Sequence, residues 1–252
     1  MLSVIIITHN AEREIAECLQ SVAFADEIIV VDAFSHDATV EVCRRYTDKV
    51  FQRAWEGYGP QKNFAIEQAR GDWILSVDAD ERVPPALREE IRQIIHRPPV
   101  CDAYTMPRKN FFWGRWIAHG GFYPDTQLRL FRRGKGRFNA QAVHERLKVD
   151  GKIGALASPL EHHPARDFAD FAQRQIRYGW LSAQTRNAPR RVGWFILVAR
   201  PAWDFFFRYV VRGGFLDGVP GLIYCAVRSW YVFTRLCYWY ERSREKNKRG
   251  EG

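Results

Sequence analysis

Over its first hundred residues the chain alternates between two hydrophobic periods. SVIIITHN (3–10) is a β-branched run, and AEREIAECLQSV (11–22) follows with Ile15, Leu19 and Val22 at helical spacing. EIIVVD (27–32) predicts a second buried strand, and DATVEVCRRY (37–46) a second helix with Asp37 at its N-terminal end. PQKNFAIEQARG (60–71) predicts a helix stopped by Gly71, and DWILSVD (72–78) a third strand. PPALREEIRQII (84–95) opens on prolines and sets Leu87, Ile91 and Ile94 on one helical face. Continuous β-branched runs separated by helices predict a parallel sheet covered on both faces. In such sheets ligands bind at the carboxyl ends of the strands, where Thr8, Asn10, Asp32, Asp78 and Asp80 fall.

The pattern then changes. From about 100 to 165 it breaks into shorter strands such as DAYTMPRKNFFWG, TQLRLFRR and AVHERLKV, and DFADFAQRQIRYGWLSAQ (167–184) predicts a helix. The remainder interleaves aromatic, aliphatic and arginine residues. Its charges, among them Arg200, Asp204, Arg208, Arg212 and Asp217, leave no run of the about 18 to 20 uncharged residues that a spanning helix needs. The pattern predicts helices lying in a membrane interface; the bland reading is a helical subdomain that packs its aromatics internally. We therefore divide the sequence into 1–165 and an amphipathic helical region, 166–252.

Composition adds two facts. Aromatic residues make up 14% and the net charge is +9, which favours anionic partners without choosing among nucleic acid, acidic lipid and phosphorylated substrates. Five scattered cysteines without a CxxC pair fit neither a disulfide framework nor a zinc site and point to a reducing cytosol; no basic, secretory-type leader precedes the first strand.

The densest chemistry lies in WILSVDADERVPP (73–85). Three carboxylates within four positions repel one another and need positive charge nearby. Asp78-x-Asp80 at a strand end would suit a hard divalent cation, Mg²⁺ or Mn²⁺, bridging protein to a diphosphate. The competing reading is an N-cap cluster for the following helix.

SVIIITHNAEREIAECLQSV, EIIVVDAFSHDAT, QKNFAIEQARGDWILSVDADE and VHERL, in this order, resemble family 2 glycosyltransferases of the GT-A fold over residues 1 to about 150. VHE and RYVVRGGFLDGVPGL are further similar to bacterial lipopolysaccharide core β-1,4-glucosyltransferases. The resemblance implies a Rossmann-like, mostly parallel sheet and an inverting, metal-dependent transfer, with glucose from UDP-glucose as the expected donor group. It implies nucleotide contacts from Thr8, Asn10, Glu12, Asp32, Lys62 and Asp78, with Asp32 on the uracil, Lys62 on uridine or diphosphate, and Asp78 on ribose or a metal-bound water. Asp80 is implied as the metal ligand. AFSHDAT departs from the family's GSxDGT-like turn: Phe34 and Ala38 stand at its glycine positions, so the turn needs negative φ there or tolerates strain, which leaves the roles of Ser35 and Asp37 open.

For the general base, Glu145 is preferred over the adjacent His144, since neighbours on a strand face opposite sides. An ion pair with Arg146 or Lys148 is the bland alternative for Glu145. Arg129 and Arg132 are candidates for diphosphate or acceptor-phosphate contacts, or else a basic strand edge. FFWGRWIAHGGFYPD (111–125) reads equally as an acceptor lid or a packed loop, and His162-His163, without matching ligand spacing, reads as structural.

The expected acceptor is a lipid-linked glycan such as the lipopolysaccharide inner core, reached by an enzyme held peripherally at the inner face of the bacterial inner membrane. Polyprenyl phosphate or another cell-surface glycan is the nearest alternative. A nucleotidyltransferase would use the same acids and release pyrophosphate. A non-catalytic acidic-lipid or nucleic-acid module is the other class; strand-end carboxylates would repel a polyanion, and no RNP or zinc-finger spacing is present, so nucleic acid is not an expected partner.

Overall fold

The computed structural model describes residues 1–139, 146–164, 167–185 and 192–249. The chain forms two compact units, Met1–Lys109 with Asp125–His162, and Asn110–Pro124 with His163–Gly252. Residues 110–124 thus group with the C-terminal helices.

In the first unit β1 (Leu2–Thr8), β2 (Glu27–Asp32), β3 (Val50–Gln52) and β4 (Trp73–Asp78) run parallel in the spatial order β3-β2-β1-β4. Every residue of β1 and β2 is buried, as continuous apolar runs in a doubly covered sheet should be. Leu2, Val4 and Ile6 pack on α1 (Ile15–Ser21), α2 (Thr39–Cys43) and α4 (Pro85–Ile95), while Ile5 and Ile7 face α3 (Tyr58–Gln68). β3 is only three residues long, too short for a period to be read from the sequence.

Between α4 and β4 lies the two-residue β5 (Glu81–Arg82). β6 (Ala103–Phe112) and β8 (Asp125–Arg132) extend the sheet: β8 pairs antiparallel with β4 and with β6. β9 (Gly136–Phe138) and β10 (Leu147–Val149) form a separate hairpin, and β11 (Ile153–Ala155) joins β6. Finally β12 (Leu160–His162) pairs antiparallel with β5, opposing His162 to Glu81. The registers Thr8↔Asp32 and Ile7↔Asp78 bring the carboxyl ends of β1, β2 and β4 to one edge.

In the second unit β7 (Arg115–Trp116) folds back on the last residues of β6. α5 (Phe168–Thr185) and α6 (Trp194–Phe206) both pack on the long α7 (Gly218–Arg249); a π-helical turn (Phe207–Val211) and a 3-10 turn (Gly214–Asp217) join the last two. The aromatics of this unit are partly internal and partly exposed. Phe112, Phe122, Phe171 and Tyr224 form an internal core. α6, by contrast, has no buried residue, and Trp194, Phe195, Val198 and Trp203 are exposed.

Candidate active site

The site at the sheet edge is built by two loops and a charge network. The loop after β1 is zipped to the turn after β2. Asn10 N–H donates to Ser35 Oγ at 2.8 Å, Ala11 N–H to Thr39 Oγ1 at 2.7 Å, and His36 N–H to Asn10 Oδ1 at 2.9 Å. Glu12 N–H donates to Asp37 Oδ2 at 3.2 Å, and Ala38 N–H returns a bond to Glu12 Oε2 at 3.2 Å. Asp37 also accepts from Thr39 N–H and hydroxyl at the start of α2. Burial opposes its charge, but these hydrogen bonds prevail and hold its carboxyl below the usual range.

Thr8 and Asp32 lie beneath this edge. Asp32 is 0% exposed and accepts the Ser35 N–H at 2.8 Å and the Ser35 hydroxyl, with Gln52 Nε2 at 3.4 Å. These bonds tie it to the turn that follows β2. Thr8 is buried too, so Asn10 and Glu12 are the members of that set that reach the surface.

Phe34 follows at φ 55°, in the left-handed region, while Ala38 keeps φ −75°. The departure from glycine is thus tolerated as strain at one position and avoided at the other. A left-handed non-glycine residue costs about 1 kcal/mol, and the Phe34 ring is largely exposed. Phe34→Gly is expected to raise stability by about 1 kcal/mol, or roughly 2–4 °C in thermal melting. A lower melting temperature would mean the ring makes contacts that offset the strain.

The acid cluster finds its positive charge within the protein. Asp78 pairs with Lys62 at 2.9 Å and with Arg129; Arg129 also meets Glu81 at 2.6 Å, and Arg108 bridges Glu81 at 3.0 Å and Asp125 at 2.6 Å. Three cations alternate with three carboxylates across α3, β4, β5, β6 and β8. Burial disfavours the Asp78 charge, but Arg129 and then Lys62 outweigh it and hold that carboxyl well below the ordinary range. The same carboxylates raise the pKa of Arg129 above its ordinary value, against burial.

Three of the expected site residues lie in this network. Lys62 is 2% exposed and committed to Asp78, with its ammonium 5.2 Å from the Phe138 ring centroid, so it does not stand open to a diphosphate. Arg129 neutralises Asp78 and Glu81 and is not an exposed phosphate fork. Asp78, 29% exposed, is the carboxylate that both of them pair with. The reason is common to all three: carboxylates buried at a strand end must be paired, and the nearest cations are taken for that. Arg132 is placed elsewhere. The register Trp73↔Arg132 sets it at the amino end of β4, where it pairs with Asp102 at 3.4 Å. Glu145 and His144 lie outside the described residues.

Asp80 is arranged differently. Its Oδ2 stands 3.5 Å from His162 Nε2, carried to this edge by β12. Two ligands bound to one divalent cation at about 2.1 Å sit about 3 Å apart, close to this spacing. Among the described residues no group of three or more His, Cys, Asp or Glu side chains surrounds one point. The donor set therefore fits a cation held by two protein ligands and completed by diphosphate oxygens and water. The sequence does not pair His162 with Asp80, because 82 positions separate them and it appears as one of two adjacent histidines; the β5–β12 pairing brings them together.

The architecture, parallel strands with acids at their carboxyl ends continued by antiparallel strands, resembles solved GT-A glycosyltransferases. It matches residues 1–349 of S. aureus TarS in complex with UDP-GlcNAc (TM-score 0.50, 17% identity, covering 99% of this chain and 92% of that chain). It also matches the mannosyltransferase PcManGT from Pyrobaculum calidifontis in complex with GDP-Man and Mn²⁺ (TM-score 0.52, 15% identity, 96% and 86%). The chain belongs to glycosyl transferase family 2, whose family model matches residues 3–157. Over 249 residues it is 29% identical to the lipopolysaccharide core biosynthesis glycosyltransferase LpsC of Rhizobium meliloti (strain 1021), spanning 96% of this chain and 92% of that protein.

Proposed function

We propose that this glycosyltransferase is an inverting, metal-dependent enzyme that moves a sugar from a UDP-sugar onto a lipid-linked glycan in lipopolysaccharide core assembly. Glucose is the donor sugar we expect. The observation that carries the metal and diphosphate reading is the Asp80–His162 pair at the carboxyl edge of the sheet, beside a charge network that already satisfies Asp78 and Glu81. The likeness to LpsC supports the acceptor class.

In this reading an acceptor hydroxyl oxygen attacks the anomeric carbon, the bond from that carbon to the diphosphate oxygen breaks, and UDP departs. The hydroxyl proton passes to Glu145, the base we assign. A divalent cation bound by Asp80 and His162 would supply positive charge against that building on the diphosphate. Asn10 and Glu12, fixed by the zipped loops, would line the nucleotide, with Asp32 acting through the Ser35 turn.

We further assign a peripheral position on the inner face of the bacterial inner membrane. No single described helix is long and apolar enough to cross a membrane, while the bent pair Trp194–Val211 and Gly214–Arg244, at 71°, passes that test together by length and composition. Exposed tryptophans on α6 with arginines around them suit the head-group region.

Calorimetric titration of UDP, with Mn²⁺ and with EDTA, tests the donor reading. Saturable binding in Mn²⁺ that disappears in EDTA is the expected result; no UDP binding in either buffer would remove the UDP-sugar reading.

A further inference from the structure

Two sequence stretches of the second unit, GRWIAHGG (114–121) and RGGFLDG (212–218), have no part in the chemistry above. The fold joins them. Asp217 is buried; its carboxylate accepts the backbone N–H of His119 at 2.9 Å and faces the ring Nδ1 at 2.9 Å. An ionised carboxylate only accepts, so the proton is assigned to Nδ1 and Nε2 is the ring's other, outward nitrogen. The side chain is 43% exposed, so the ring is fixed in orientation yet open to a ligand.

Two exposed arginines, Arg115 and Arg212, border the glycine turns on either side of His119 and Asp217. The Arg212 carbonyl accepts the Gly120 N–H at 2.9 Å, and a Cβ added at Gly121 would come 3.7 Å from Arg212 Nη1. A Cβ added at Gly218, next to Asp217, would come 3.4 Å from Arg115 Nη1, and one at Gly213 would come 3.9 Å from His119 Cδ2. Among the described residues no carboxylate pairs with Arg115 or Arg212. Gly120, Gly121, Gly213 and Gly218 all have positive φ, between 68° and 78°, so side chains are absent where these turns approach.

Two guanidinium forks without a carboxylate partner among the described residues, Arg212 lying over the Phe207 ring at 5.3 Å, and an oriented imidazole around side-chain-free turns have the donor chemistry of an oxyanion site. We propose that Arg115, His119 and Arg212 bind a phosphate group of the acceptor. Phe215 and Leu216, exposed on the 3-10 turn, and Val219, exposed at the start of α7, give the site an apolar border that suits a phosphate at the edge of a lipid layer. Assigning the phosphate to the acceptor rests on the glycosyltransferase reading; phosphate binding itself does not.

The test is a long-range ¹H–¹⁵N spectrum of the full chain, with the His119 ring signals identified by their loss in His119→Gln. Glucose 6-phosphate is titrated first, then phosphatidylcholine vesicles with and without phosphatidic acid. A saturable His119 shift, weakened about tenfold or more in R115Q/R212Q, is expected. A shift with the soluble sugar phosphate identifies a free phosphomonoester as sufficient; a shift only with phosphatidic acid identifies a lipid head group. No shift with either, or equal binding by the double variant, overturns the site. Should the double variant fail to melt cooperatively, R115Q alone is used.

UDP titration in Mn²⁺ on the same samples separates the two readings. Intact UDP binding without a phosphate response removes this site alone, and the converse removes the donor reading alone. A loss of turnover in His119→Gln with an altered pH profile and unchanged phosphate binding by R115Q/R212Q would make His119 a base instead and also overturn the proposal.

Discussion

Asp80→Ala is expected to lower turnover by about two to three orders of magnitude and to make UDP binding insensitive to Mn²⁺. The fold should survive, because Asp80 is partly exposed and pairs with the partly exposed His162. His162→Ala should follow the same direction, since the two side chains are the pair assigned to one cation. Steady-state rates, UDP calorimetry and a thermal melt on the same preparations check this. Turnover in Asp80→Ala equal to wild type would remove the metal assignment, whereas loss of turnover together with the melt would show that the residue is structural.

Arg129→Met is expected to have the largest effect on stability. Removing one member of a buried ion pair leaves uncompensated charge and typically costs about 3–5 kcal/mol. For a chain of this size that is roughly a 10 °C loss in melting temperature. The acid dependence supplies a second readout. A carboxylate whose folded pKa is depressed stabilises the fold above its unfolded value, about 3.9 for Asp, and loses that contribution as the pH falls through the folded value. With Arg129 and Lys62 beside it, Asp78 keeps its contribution through neutral and mildly acidic pH and loses it only in stronger acid. Without Arg129 the Asp78 pKa rises, so the acid-unfolding midpoint should move to higher pH. A melting temperature within a degree or so of wild type would mean that the network carries little of the stability.

The parallel half of the sheet was legible because its signals are local. Strands such as EIIVVD are buried on both faces, and one period suffices to find them. The edge on which Asp32, Asp78 and Asp80 fall followed from that topology. Which charge meets which carboxylate was not legible. Arg129 is 51 positions from Asp78, and Arg108 is 27 from Glu81; both reach the acids through antiparallel pairings that leave no spacing in the sequence. The approach of His162 to Asp80 was not legible for the same reason. Thr8 and Asp32 show the opposite limit: their place on the edge was correct, yet a strand end does not tell whether a side chain faces a ligand or supports the turn above it.

The excursion of residues 110–124 bears on how the chain is made. Phe112, Ile117 and Phe122 leave the ribosome well before Phe171 and Tyr224, the residues they pack against. The second unit cannot complete its core until α5 and α7 have been synthesised, and until then that apolar stretch waits without its partners. A truncation within the C-terminal helices would leave the nascent chain in that state permanently, so aggregation of such a fragment would report an unfinished core before it reported anything about membranes.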